Sequence, residues 1–297
     1  MIRKITLLLL LCAGLHNTGV AQYSGFESAQ QRLLTTDPAY AQRLQQMTTN
    51  WVNWNNTQPN ISSLVVSGGN SPVFQIPVVV HVILPGSLAA NPAGTTYDPT
   101  DAQINSMLAY LNQAYSATYV SYPDSNSGGT YIPIQFVLAK RDINCNNTTG
   151  IERINGSSVA GYVAGGVNNG SGTGAADATV KALSQWPVNQ YYNIYIVNKI
   201  DGKDGTAPGV AFTTGFAYLP TAPSNVDGYT VLATQVAPGN INIVQEMGHA
   251  LSVFNTFEGG TVTTCPVNNN CERQYKRHSK SNKQRYCELV FTDVFKY

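Results

Sequence analysis

The chain has 297 residues, a formal net charge of +1, 43% hydrophobic residues and only 11% charged ones. That length and apolar content suffice for one substantial globular domain. The near-zero charge excludes a strongly polyanion-binding protein at whole-chain level. The charged fraction falls well below the roughly 25% usual in soluble domains, with Asn, Thr, Ser, Gly and Tyr supplying the polarity instead. Residues 1–21 read as a signal peptide: Arg3 and Lys4 form a basic start, Ile5 to Leu11 an apolar core, and Gly19-Val20-Ala21 a small-x-small cleavage site. The apolar run is too short to cross a bilayer, and no later segment reaches the ~18 apolar residues that a span needs. The expected product is secreted, with no membrane span.

Residues 22–72 read as a pro-region or N-terminal extension, with a helix opening at Asp37-Pro38 and running through Trp51 or Trp54. Ile76 to Leu84 is dense in Val and Ile and predicts a buried strand with His81 as a core residue. Asp98-Pro99 opens a helix whose Ile104, Met107, Leu108, Leu111 and Tyr115 share one face. Tyr131 to Lys140 predicts a second strand, with Pro133 pointing to an edge or early position. Residues 156–176, rich in Gly, Ala, Ser and Asn, read as a surface loop. A short helix near Asp177 to Leu183, a strand at Tyr192 to Ile200, and two more at Ala211 to Leu219 and Tyr229 to Val236 complete an α+β order.

Ile241 to Phe254 carries helical spacing, with Asn240 or Asn242 as its cap. Inside it lies Gln245-Glu246-Met247-Gly248-His249, followed by Ser252 and Asn255. A zinc-protease helix reads His-Glu-x-x-His-x-x-Gly-x-x-His: two His four apart grip the metal, Glu is the general base, and Gly lets the chain turn toward a third His. Here Glu246 and His249 stand in their places, while Gln245, Ser252 and Asn255 replace the first His, the Gly and the last His.

The run Glu246 to Gly260 resembles the signature region of the pappalysin-like (cytophagalysin) zinc metallopeptidases, a branch of the metzincins. Phe74 to Ile83 is similar to that family's first core strand, Asn146 to Ile151 to the loop after its second, and Trp186 to Val197 to its third. The resemblance covers residues 73–271. It implies a zincin-like catalytic domain, α+β, with a twisted mixed sheet and an active-site helix. It also implies zinc as cofactor, a peptide or protein substrate, Glu246 as catalytic base and His249 as a retained ligand. Gln245 and Asn255 then fall at substituted ligand positions. Amide oxygens are poor replacements for imidazole on zinc, which needs three protein ligands for catalysis. Weak metal binding and impaired hydrolysis are therefore expected, with a non-catalytic pseudoprotease or peptide-binding protein as the alternative.

Metzincins require a Met-containing turn after the third ligand. The methionines are Met1, Met47, Met107 and Met247, so the C-terminal subdomain is expected to be short or missing. Residues 272–297 form a divergent basic tail, open to three readings: a solvated face, a patch for anionic surfaces, or a frameshifted segment. Cys145, Cys265, Cys271 and Cys287 are disulfide candidates in an oxidising compartment, with three connectivities open. A monomer with no nucleic-acid partner is expected.

Overall fold

A computed structural model describes residues 22–57, 73–118 and 131–255. The signal peptide, Cys265, Cys271, Cys287 and the basic tail lie outside the described residues. In chain order the elements are β1 (Gln22–Ser24), α1 (Phe26–Thr36), α2 (Tyr40–Thr57), β2 (Phe74–Leu84), α3 (Asp101–Tyr115), β3 (Ile134–Leu138) and β4 (Ile151–Asn155). There follow α4 (Tyr162–Gly165), β5 (Val167–Asn168), β6 (Ala175–Ala176), α5 (Asp177–Lys181), β7 (Tyr192–Val197), β8 (Phe212–Phe216), β9 (Tyr229–Leu232) and α6 (Ile241–Ala250).

The long Val/Ile run of β2 is the centre of the molecule because both of its faces are covered. Val78, Val80, Val82 and Leu84 point to one side, where Ile104, Met107, Leu108, Leu111 and Tyr115 of α3 and Ile243, Val244 and Met247 of α6 close over them. Ile83 belongs to the opposite side, packed with Tyr195 and Val197 of β7, Ala29 and Leu33 of α1, and Tyr162. Period-two alternation thus feeds two apolar layers from one strand. Each large side chain so buried contributes roughly 1.5–3 kcal/mol.

The main sheet runs β1-β8-β9-β7-β2-β3, with β4 beside the second half of β2. All its pairings are parallel except β8 with β9. The architecture is the mixed-sheet α+β one expected from the sequence. Among the described residues no helix is long and apolar enough to cross a membrane.

Three expectations need correction. The helix expected at Asp98-Pro99 starts at Asp101, because Thr100 makes a capping box: its Oγ1 accepts from Gln103 N at 3.2 Å and its N donates to Gln103 Oε1 at 2.9 Å. Asp98 instead is buried and accepts from Arg153 Nε at 2.8 Å. The Gly-rich 156–176 segment is not all surface: Tyr162, Val167 and Asn169 are buried in it. Its glycines serve close packing, and a Cβ at Gly166 would meet Lys199 O at 1.9 Å. The N-terminal segment also does more than carry one helix. Its β1 joins the main sheet beside β8, and Phe26, Ala29, Gln30 and Leu33 give α1 a buried stripe.

Candidate active site

Helix α6 begins where the Asn240 side chain accepts from Asn242 N at 3.1 Å. It ends in a Schellman turn: Ser252 N donates to His249 O at 2.9 Å and Val253 N to Gly248 O at 2.9 Å. Ser252 adopts φ 73°, the left-handed conformation that a glycine takes without strain. The turn has a chemical consequence. It places Val253 O 2.6 Å from His249 Nδ1, so that Nδ1 carries the proton and the Nε2 lone pair is left facing inward. Nε2 is buried without a hydrogen bond of good geometry.

His249 is 2% exposed, and burial pulls its pKa down to about 4, against smaller opposing pulls from the Val253 carbonyl and the Asn255 side chain. Its ring is therefore neutral at ordinary pH. Glu246 is fully buried, and burial pushes its pKa up to about 8 although Ser24 and the Ala217 amide favour the carboxylate. Its Oε2 accepts from Ala217 N at 2.8 Å, while Oε1 makes no hydrogen bond of good geometry. A carboxyl in this state keeps its proton at neutrality.

The turn also folds Asn255 back over α6. Gln245 Nε2 donates to Asn255 Oδ1 at 3.1 Å, and Asn255 lies against His249. The three positions of the motif are thus brought together, but two of them bond to each other. His249 Nε2, beside the Asn255 side chain and without a hydrogen bond of good geometry, is an atom of the type a metal would take. The set around it is one imidazole and two neutral amides, which does not fit a tight water-activating zinc. No group of three His, Cys, Asp or Glu that could hold a metal occurs among the described residues. Cys145 is exposed, with no disulfide partner among the described residues.

Two site residues escaped sequence reasoning. Phe26, at the start of α1, is fully buried and its ring stacks on His249 at 3.6 Å and 9°. Ser24, at the end of β1, sits beside the Glu246 carboxyl. Both precede the helix by more than two hundred residues, and no local pattern marks them. Downstream, Arg32 of α1 fastens the segment to the body of the protein: it donates to the Asn168 carbonyl and the Tyr218 hydroxyl, 3.7 Å from Asp177.

No protein-family model matches the sequence, and no curated protein matches it. Solved structures do. A promirolysin mutant from Tannerella forsythia aligns with a TM-score of 0.53 and 22% identity over 81% of this chain and 71% of that one. Mature mirolysin from the same organism, in complex with a cleaved peptide, aligns at 0.47 and 23% over 67% of this chain and 72% of that one. The chain shares its fold with promirolysin.

Proposed function

We propose that the chain is an exported protein of the pappalysin-like group whose peptide-hydrolysing centre is impaired and whose cleft persists as a groove for extended peptides. The observation that carries this reading is the 3.1 Å bond between Gln245 and Asn255. Asn255 Oδ1, one of the two amide oxygens that would have to lend an electron pair to a metal, is engaged by Gln245 Nε2 instead. Glu246 adds to the case, since a group that holds its proton up to about pH 8 is no base at neutrality. The fold likeness supports the ancestry. A match over 81% of the chain is longer than residues 73–297, so it reaches into this chain's own N-terminal segment, and the matched protein is a promirolysin. Residues 22–72 are the pro-region in this reading. Latency through a Cys thiolate is unavailable to it, because residues 22–72 contain no Cys.

The test is hydrolysis of casein and of a peptide library by the purified mature chain, beside Glu246→Ala and a chelator. Trace cleavage, insensitive to both, is expected. Robust cleavage that is abolished by Glu246→Ala and by chelation would overturn the reading.

A further inference from the structure

We propose that the groove between β8 and α6 selects peptides that run extended up to a glycine and turn there into an aromatic residue, and that Ser24-Gly25-Phe26, where Gly25 caps α1 at φ −91° and ψ 5°, is a copy of this ligand carried by the chain itself. The proposal rests on the peptide-groove reading and names the ligand class that groove takes.

Backbone pairing supplies the sequence-independent part of the grip. β1 runs parallel to β8 with Gln22 opposite Phe212, Tyr23 opposite Thr213 and Ser24 opposite Gly215, and Gly25 N donates to Gly215 O at 2.8 Å. Strand addition to a sheet edge binds any extended chain, so selectivity must come from side-chain places. Two are built. At Gly25 a Cβ would lie 2.4 Å from Asn169 Nδ2 and 2.6 Å from Thr213 Cγ2. Asn169 cannot simply withdraw: it is buried, and its Nδ2 donates to Gly25 O at 2.9 Å. Any residue with a side chain at that step displaces a buried hydrogen-bonding partner. One residue on, the Phe26 ring lies flat on the His249 imidazole. A flat ring covers that face fully, whereas an aliphatic chain loses the stacking contact. The preceding position is read less tightly. Ser24 Oγ accepts from Phe26 N at 3.1 Å, and Tyr23 is 46% exposed.

The same methyl group that forbids the wrong ligand offers the experiment. Gly25→Ala in the chain from Gln22 onward, with its N-terminal segment retained, is expected to expel the chain's own segment and leave the groove residues unchanged. Fluorescein-labelled Gln-Tyr-Ser-Gly-Phe-Glu-Ser is titrated into this variant and into wild type by anisotropy, beside control peptides with Ala for Gly or Ala for Phe. The Gly25→Ala chain is expected to bind the Gly-Phe peptide about tenfold tighter than either control, and about tenfold tighter than wild type does, whose groove is filled. Phe26→Ala is the second variant, should Gly25→Ala lose its circular dichroism, and the same ranking is expected of it. Equal affinity for all three peptides would overturn the selectivity and leave a peptide groove standing. Failure of every peptide to bind either folded variant would overturn both.

Discussion

His81 and His249 are both buried, at 0% and 2% exposure, and both lie on regular elements packed against the sheet. Their surroundings differ. His81 Nε2 meets Asn193 Oδ1 at 2.9 Å, its Nδ1 faces Glu152 Oε2 at 3.2 Å, and Tyr195 stacks on its ring. Asn193 is itself held by the backbone of Trp186, whose indole N–H donates to the same Glu152 oxygen. His249 has one nitrogen tied to Val253 and the other without a well-formed bond, with the Asn255 side chain against it and a phenyl ring on its face. Neither His81 Nδ1 nor His249 Nε2 makes a hydrogen bond of good geometry, but the first faces a carboxylate and the second lies beside the neutral amide of Asn255; a buried imidazole held through Nδ1 by a backbone carbonyl has the form of a metal ligand.

The sharpest way to break this contrast is to remove each ring. His81→Leu strands Asn193 and Glu152 in or near the core and is expected to cost about 3 kcal/mol in urea denaturation. His249→Leu removes an unsatisfied polar atom along with one hydrogen bond, and is expected to cost less than about 1 kcal/mol. Similar losses for the two variants would mean that His249 is as deeply built into the scaffold as His81.

The next effect is in pH. Glu246 binds its proton more tightly in the folded chain, at about 8 against 4.5, so its contribution to stability falls as pH rises through that interval. His249, lowered to about 4 from 6.5, works in the opposite sense below 6.5 and offsets it there. Between pH 6.5 and 8 Glu246 acts alone of the pair, and stability is expected to fall by about 2 kcal/mol. Glu246→Gln should flatten that slope. An unchanged slope in the variant would place the titration elsewhere.

The two histidines also mark what could be read from the sequence. The β2 run and the α3 stripe were legible because periodicity reports burial directly, and Glu246 with His249 because the motif spacing is local. The status of His81 as a core residue followed from its strand. What was hidden depends on distant pairing. β1 has three residues, too few for a period, and its partner β8 lies far along the chain. Phe26 therefore gave no sign of reaching His249. The 156–176 segment misled for a different reason: glycine-rich composition reads as loop, whereas here several glycines allow backbones to touch.

A smaller effect is expected at the turn that aims His249. Ser252→Gly relieves a left-handed strain of roughly 1 kcal/mol and costs part of it back in unfolded-chain entropy, for a net gain of about 0.5 kcal/mol in thermal or urea melts. A loss of stability would mean that the Ser252 contact with Met47 of α2, at 3.8 Å, matters more than the backbone strain.

The most direct test of the central claim, that Gln245 and Asn255 have replaced the metal-binding set by a bond between themselves, is elemental zinc in the purified mature chain after dialysis. The expected result is well under one zinc per chain, rising toward one in the Gln245→His, Asn255→His double variant, with peptide hydrolysis at most weak even then. One tightly held zinc in the unmodified chain would contradict it.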